Sequence, residues 1–252
     1  MKREIQKLAH YFGYHISKIG RPSPQAGPFV EMTRLCADIA EPTIFDVGAH
    51  HGQTAKEFRK HFPTSQIYSF EPFPESFETL RLNTQYNRGI QIFNYGLTDK
   101  VGTFAFHSNL SSATNSLLPA DELGFKTWGD GLLETQDIVQ VQFKTIDEVL
   151  AEQDIQTIDI LKMDVQGTEH RVLKGALGAC ADGKLGVVYS EIIIQPTYIG
   201  QKRLDEILNI FHDAGFELHN IYNLSCTPNG KLRQVDAIFT RDKSENKFVG
   251  DK

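Results

Sequence analysis

The feature that most constrains the fold is an alternation of strand-like and helix-like segments that begins after Pro42. The apolar segments TIFDVG, QIYSFEP, IQIFNYGL, IDILKMDV and LGVVYSEIII have the length and composition of strands. They alternate with amphipathic segments such as QTAKEFRKHF and RLDEILNIFHDAG. This alternation predicts an α/β domain, and the near-continuous apolar strands indicate a mostly parallel sheet with helices on both faces.

Two stretches depart from this alternation. GTFAFHS and VQVQFKTI are typical of an antiparallel pair, and the long polar stretch 108–137 between them contains the single tryptophan, Trp128. Loops this long in a compact domain are usually functional or disordered, so we expect a lid-like insertion. FELHNIYNLS and RQVDAIFT flank an Asn229-Gly230 pair, which predicts a hairpin.

The amino-acid composition indicates which binding partners and which cellular location to expect for the protein. The net charge of −6 argues against general nucleic-acid binding. No apolar run reaches the roughly 20 residues that a membrane-spanning helix needs, and the N-terminus lacks the apolar core of a secretory signal. The three cysteines form neither a disulfide framework nor a zinc spacing, so a cytoplasmic location is expected.

The N-terminal segment differs from the rest of the chain. Residues 1–21 contain five basic side chains and one acidic side chain, with apolar residues at helical spacing. Such a helix either packs on protein or makes peripheral contact with an anionic membrane surface. A Pro- and Gly-rich linker follows. We therefore divide the chain into an extension at 1–41, an α/β domain at 42–242 and a polar tail at 243–252.

The first candidate site is the turn after the first strand, in FDVGAHHGQT. Asp46 ends the strand, and Gly48 and Gly52 bracket the turn, but His50 stands where a dinucleotide fingerprint needs its middle glycine. Glu71 ends the second strand, where an acid either accepts hydrogen bonds from ribose hydroxyls or stabilises a turn. Together these residues predict S-adenosylmethionine, a nucleoside that has no phosphate and carries an amino group for Asp46.

The second candidate site is the stretch LKMDVQGTEHRVLKGA. Asp164 ends a strand, and Glu191 occupies the comparable end of the next strand. At about 100° per residue, Glu169 falls in the middle of the apolar face of the following helix. An acid aimed inward must be hydrogen-bonded or lie in a polar cleft. Glu169 therefore either joins the other two carboxylates in a site or ties down the turn at residues 166–167.

Several of these motifs together resemble the FkbM-type methyltransferases, over roughly residues 43–240. They are DVGAHHGQT, FEP, NYGL and, most specifically, KMDVQGTEHRVLKGA. The resemblance implies a Rossmann-like class I methyltransferase fold with strand order 3-2-1-4-5-7-6 and an antiparallel last strand. It also implies methyl transfer from S-adenosylmethionine to a hydroxyl of a sugar, glycan or secondary metabolite. The implied cofactor contacts are Asp46, Gly48, Ala49, Gly52, Glu71, Gly96 and Leu97.

The catalytic roles remain open at this level. Asp164 is the predicted general base, with Glu169 or Glu191 as its orienting partner. In a variant of this mechanism, Asp164 and Glu191 hold Mg²⁺, which binds the acceptor oxygen. Two other classes compete with a methyltransferase on the same fold. They are a nicotinamide-dependent oxidoreductase, which the missing glycine disfavours, and a non-catalytic cofactor-binding module, which the acid cluster disfavours.

Overall fold

The computed structural model describes residues 27–129 and 131–241. The predicted basic helix at 1–21 and the predicted tail at 243–252 lie outside the described residues. Within the described ranges, no helix has both the length and the apolar character needed to cross a membrane.

Helices and strands alternate through most of the described chain. The helices are α1 Pro28–Leu35, α2 Gln53–His61, α3 Pro74–Thr84, α4 Glu122–Trp128, α5 Ile146–Glu152, α6 Glu169–Lys174, α7 Leu177–Ala181 and α8 Leu204–Asp213. The strands are β1 Thr43–Val47, β2 Gln66–Phe70, β3 Ile90–Phe93, β4 Gly96–Leu97, β5 Gly102–Asn109, β6 Thr135–Lys144, β7 Ile158–Met163, β8 Leu185–Ile193, β9 Phe216–Cys226 and β10 Leu232–Arg241.

Seven strands form the main sheet in the order β3-β2-β1-β7-β8-β10-β9. The pairs from β3 to β8 are parallel, and β10 is antiparallel to both of its neighbours. Counted along this sheet alone, the order is 3-2-1-4-5-7-6, so the predicted fold class is confirmed. The predicted hairpin between β9 and β10 is also present, with Gly230 at a φ of 83°. The carboxyl ends of β1, β2, β7 and β8 meet at one edge.

Both faces of the central strands β1, β7 and β8 are buried, which explains why these strands are mostly apolar. Phe45 and Leu161 face one hydrophobic cluster, and Ile44 and Ile160 face another on the opposite side. Side chains alternate between the two faces along each strand. Asp46 therefore shares a face with Ile44, whereas its neighbour Val47 points the other way.

The predicted strand IQIFNYGL is two strands in two sheets. β3 pairs with β2 in the main sheet, whereas β4 pairs with β6 in a small sheet of order β4-β6-β5. The Asn94 amide donates to the Glu71 and Pro72 carbonyls at 3.0 and 3.3 Å, which holds the chain at the point where it changes sheets. A Cβ on Gly96 would lie 2.2 Å from the Phe143 ring, so β4 needs glycine to reach β6.

Three helices were not predicted from the sequence: α1, α4 and α5. Two of them carry readable capping signals. The Asp121 side chain accepts a hydrogen bond from the Leu123 amide at the start of α4. The Thr145 hydroxyl accepts one from the Glu148 amide at the start of α5. The second case has the Thr-x-x-Glu spacing of a capping box, so α5 was predictable from its N-terminus.

Candidate active site

A cleft with a cavity volume of about 110 Å³ opens at the carboxyl edge of the main sheet. The walls come from both sheets and from the loop after β5. The lining residues are Val47, Gly48, His50, Glu71, Pro72, Gly96, Leu97, Phe106, Ser112, Ala113, Asn115, Leu117, Phe143, Asp164, Val165, Gln166 and Thr168.

Glu71 is the buried acid on the β2 side of the cleft. Its Oε2 accepts a hydrogen bond from the His50 amide at 2.8 Å, and its Oε1 accepts one from the Phe73 amide at 3.0 Å. Burial raises the pKa of Glu71 to about 7, against the opposing effect of these two amides. The Glu71 carboxyl group thus stabilises the turn through two backbone amides, and its remaining lone pairs can accept hydrogen bonds from ligand hydroxyls.

The glycines of the first turn allow close backbone packing. Gly48 has a φ of 73°, and a Cβ there would lie 1.9 Å from the Asp164 carbonyl oxygen. Gly52 has a φ of 85°, and its Cβ would meet the Leu80 side chain at 2.8 Å. Gly48 lines the cleft, whereas Gly52 and the buried Ala49 are not among its lining residues. The structure therefore gives Gly52 a packing role, and cofactor contact at Gly52 and Ala49 stays a prediction.

Asp46 lies on the sheet face that points away from the cleft wall. It is fully buried, and its Oδ1 is 3.0 Å from the Nζ atom of Lys162 on the neighbouring strand. The same ammonium donates to the Gly48 carbonyl at 2.7 Å. Burial works against the charge of Lys162, but Asp46 keeps the pKa of this amine above its usual value. Asp46 thus supports the turn through Lys162, and its predicted contact with a ligand amino group stays a prediction.

Asp164 and Glu191 converge at the edge of the sheet, as the sequence predicted. A side-chain amide lies between them: Gln166 Nε2 is 2.7 Å from Asp164 Oδ1 and 2.8 Å from Glu191 Oε2. Gln234 donates a further hydrogen bond to Glu191 Oε1 at 2.6 Å. Burial, with the nearby charge of Asp164, raises the pKa of Glu191 well above its ordinary value. Asp164 therefore faces the cleft, with Glu191 held behind it.

Glu169 makes the hydrogen bonds of the turn-fixing alternative. Its Oε1 accepts from the Val165 and Gly167 amides, both at 3.2 Å. Its side chain is 3% exposed, and it is not among the residues that line the cleft. Burial raises its pKa to about 7. The inward-facing carboxyl group of Glu169 therefore has hydrogen-bond partners in the backbone of the preceding turn. A catalytic role for Glu169 stays a prediction.

The predicted insertion contributes one wall of the cleft. Ser112 Oγ lies 2.8 Å from His50 Nε2, across the mouth of the glycine turn. The Ser116 hydroxyl donates to the Gln166 carbonyl at 2.8 Å. At the far end of the insertion, Trp128 donates to the Thr197 hydroxyl at 3.0 Å. These contacts bring the segment onto the site, whereas its predicted lid motion stays a prediction.

Sequence reasoning missed the polar residues that organise the two acids. Gln166 has a φ of 54°, which is uncommon for a residue with a side chain, and it lies at the centre of the hydrogen-bond network. The Tyr198 hydroxyl is 3.0 Å from Gln166 Oε1, although the two residues are far apart in sequence. The Gln166-Gly167 pair signals a turn, but no local pattern marks Tyr198 or Ser116.

The donor set around Asp164 bears on the Mg²⁺ variant. Across residues 27–129 and 131–241, no group of three or more His, Cys, Asp or Glu side chains is placed to hold a metal ion. The Gln166 amide nitrogen donates to both Asp164 and Glu191, and the two carboxyl groups also lie within hydrogen-bond distance of each other. Two carboxylates joined in this way fit an amide and do not form the oxygen cage that Mg²⁺ prefers.

Comparison with known proteins decides the family. Residues 46–218 match the family described as Methyltransferase FkbM domain. This chain belongs to the FkbM methyltransferase family. The predicted family and the predicted methyltransferase class are both confirmed, which leaves the oxidoreductase and the non-catalytic module without support.

Three curated relatives show how far the similarity extends. The chain is 27% identical over 188 residues to 2-O-methyltransferase NoeI of Sinorhizobium fredii, which covers 71% of this chain and 73% of NoeI. It is 28% identical over 151 residues to 31-O-demethyl-FK506 methyltransferase FkbM of Streptomyces tacrolimicus, covering 52% and 58%. It is 25% identical over 152 residues to hexuronic acid methyltransferase AglP of Haloferax volcanii, covering 59% and 56%. The matches to FkbM and AglP thus span little more than half of those proteins.

The role of Glu169 is testable by two substitutions. At pH 5, where the raised pKa keeps Glu169 protonated in the folded state, Glu169→Gln keeps an oxygen acceptor for the Val165 and Gly167 amides, so the free energy of unfolding should change little. Glu169→Leu leaves both donors buried without a partner and should lower the free energy of unfolding by ~1–3 kcal/mol. Urea denaturation of the two variants and the wild type measures this difference. Equal loss in both variants would show that the charge of Glu169, and not its acceptor oxygen, stabilises the turn.

Stability should depend on pH through Glu71 and Glu169. Each has a folded pKa of about 7 and a reference value of 4.5. Between these values the folded state binds more protons than the unfolded state, so the free energy of unfolding falls as pH rises. The contribution is present below pH 4.5 and is lost as pH rises through 7, up to about 3 kcal/mol for each group.

Thermal unfolding from pH 5 to pH 8 measures this dependence. Glu71→Gln should flatten the fall in melting temperature, because the amide does not titrate. An unchanged slope in Glu71→Gln would show that the folded-state pKa of Glu71 is ordinary.

Proposed function

We propose that this chain is an S-adenosylmethionine-dependent O-methyltransferase that acts on a hydroxyl of a sugar, glycan or secondary metabolite. The observation that carries the proposal is that Glu71 and Asp164 face one cleft from neighbouring regions of the same sheet edge. Ligands of open α/β sheets bind at this edge. An acid suited to ribose and an acid suited to an acceptor hydroxyl are therefore available to one bound pair of substrates.

The residues of the cleft fit the proposed donor. Glu71 would accept hydrogen bonds from the ribose hydroxyls, and the buried Gly96 and Leu97 backbone would lie beside adenine. Phe106 and Phe143 supply apolar wall in the same cleft. No phosphate needs to be accommodated, which agrees with the His50 side chain at the glycine turn. When bound, the sulfonium supplies an electrophilic methyl group.

The chain's own contribution to the reaction would be positioning and proton removal. Holding the acceptor oxygen in line with the methyl group supplies much of the rate. Asp164 lines the cleft at the end of β7, away from the Glu71 side assigned to ribose, so it would accept the proton of the acceptor hydroxyl. A positioned general base typically contributes ~10²–10⁴ in rate. Glu191 would act through Asp164, because it contacts Asp164 and does not line the cleft.

Names of the relatives support a hydroxyl acceptor. NoeI is a 2-O-methyltransferase, the FkbM relative acts on 31-O-demethyl-FK506, and AglP acts on hexuronic acid. These names cover both carbohydrate and secondary-metabolite acceptors, so the proposal keeps both classes. Residues of the insertion line the cleft and would contribute to the choice between them.

Calorimetry tests the proposed donor. Titration of the chain with S-adenosylmethionine, with its demethylated thioether product and with NAD should give binding for the first two only. Glu71→Ala should weaken binding of the donor by ~1–3 kcal/mol through lost charge-assisted hydrogen bonds. Glu75→Ala, on the exposed first turn of α3, serves as the matched control. Equal affinity in Glu71→Ala and the wild type would remove Glu71 from the site.

An assay of methyl transfer from S-adenosylmethionine to hydroxyl compounds in extracts identifies an acceptor. With that acceptor, Asp164→Asn tests whether Asp164 is the general base. The substitution keeps the shape and removes the proton acceptor, so turnover should fall by ~10²–10⁴ while donor affinity changes little. Full activity of Asp164→Asn would contradict the base assignment. The same assay with a chelator tests the Mg²⁺ variant, which requires that activity vanish and return with Mg²⁺.

A further inference from the structure

The side-chain amide of Gln166 joins the two acids at the edge of the sheet. Its nitrogen carries two protons, and the two acceptors within hydrogen-bond distance are Asp164 Oδ1 at 2.7 Å and Glu191 Oε2 at 2.8 Å. We propose that Gln166 is a positioning residue that fixes Asp164 and Glu191 as a pair, in the place where a divalent cation would otherwise bridge them. The proposal rests on the proposed function, because it concerns the same catalytic acid.

The opposite end of the amide has a matching partner. Gln166 Oε1 is 3.0 Å from the Tyr198 hydroxyl, which can donate to it. The reverse orientation would place the amide oxygen against two carboxyl groups and the amide nitrogen against the hydroxyl. The two carboxyl groups select the observed orientation, because it gives each acid a donor, whereas the single Tyr198 hydroxyl proton is shared between Gln166 Oε1 and the Thr114 carbonyl oxygen. Tyr198 is 2% exposed, so the contact is buried.

The backbone of Gln166 is also fixed by hydrogen bonds. Its φ of 54° is a left-handed conformation that costs free energy for a residue with a Cβ. The Ser116 hydroxyl donates to its carbonyl oxygen at 2.8 Å, and the Tyr198 hydroxyl also lies 2.9 Å from the Thr114 carbonyl oxygen. Surrounding contacts from the insertion therefore maintain the conformation that aims the amide at the two acids.

The nearest cation does not perform this bridging task. Lys162 lies close to both acids, but its ammonium contacts Asp46 Oδ1 and the Gly48 and Val47 carbonyls. A neutral amide is consequently the donor that contacts both Asp164 and Glu191. Replacing that amide by a third carboxylate would create the oxygen-rich cluster that Mg²⁺ and Mn²⁺ prefer.

Thermal unfolding with and without MgCl₂ or MnCl₂ tests the bridge directly. Wild-type melting temperature should shift by less than about 1 °C. Gln166→Glu should melt lower than wild type in chelator, because three acids then crowd one site. Saturating Mn²⁺ should raise its melting temperature by about 5 °C or more. The exchanged variant Gln166→Glu/Glu191→Gln is the matched control, and its response to Mn²⁺ should return towards that of wild type.

Two outcomes would overturn the bridge. One is a wild-type chain stabilised by Mn²⁺ as strongly as Gln166→Glu, since a cation would then displace the amide. The other is a Gln166→Glu variant that is as stable as wild type and indifferent to cations, since the acids would then not meet at residue 166. These measurements need no acceptor, so they separate failure of the bridge from failure of the proposed methyl transfer.

Kinetics test the positioning role. Gln166→Leu should keep the affinity for S-adenosylmethionine, measured by calorimetry, within about threefold. It should lower kcat on the acceptor found by methyl release by ~10²-fold, as expected for a displaced reacting group. Gln166→Asn, which retains the amide on a shorter side chain, should recover part of kcat. A loss of donor affinity without loss of kcat would assign Gln166 to donor binding instead.

NMR of the wild type gives a readout that does not depend on variant folding. The side-chain amide protons of Gln166 should exchange slowly with solvent, because Gln166 is buried and both protons are hydrogen-bonded to carboxyl groups. Gln166→Leu, or Tyr198→Phe where the first variant does not fold, assigns the signal. Exchange of these protons at the rate of a solvent-exposed glutamine would overturn the proposal.

Discussion

The close approach of β1 and β7 at their carboxyl ends is the constraint on which the site depends. The absence of a side chain at Gly48 lets its backbone lie against the Asp164 carbonyl, and Lys162 holds the same turn through the Gly48 carbonyl. A larger residue at Gly48 would push the first turn away from the strand that carries Asp164. Glu71 is tied to the turn through the His50 amide, so both walls of the cleft would move together.

Several carboxyl groups are buried at the carboxyl edge of the main sheet. Glu71, Glu169 and Glu191 all have raised pKa values because desolvation disfavours their charged forms. Backbone amides oppose this effect at Glu71 and Glu169, whereas side-chain amides supply the donors at Glu191. Desolvation of these carboxyl groups lowers the free energy of unfolding. Their burial and hydrogen bonds also hold the acids in defined positions around the cleft.

Particular residues show how far sequence reasoning reaches. The hairpin at Gly230 and the convergence of Asp164 with Glu191 were predictable from the residues, because turn chemistry and strand ends are local signals. The strand order was implied by the resemblance to the FkbM-type methyltransferases. The sequence assigned Asp46 to the amino group of a ligand, and its pairing with Lys162 was not predicted, since this pairing depends on which strand lies alongside β1. Tyr198 was invisible for the same reason: its partner, Gln166, is distant in sequence.

The sequence by itself determined the layered α/β architecture, the sheet edge where ligands bind and the identity of the acids at that edge. These follow from hydrophobic periodicity and from residues that end strands, both of which are written in short segments. Only the tertiary structure decided which acids face the cleft. The Glu169 carboxyl group accepts a hydrogen bond from a backbone amide, and the Gln166 side-chain amide donates to both Asp164 and Glu191. The physical reason is that a buried polar group takes whichever partner packing brings within hydrogen-bond distance.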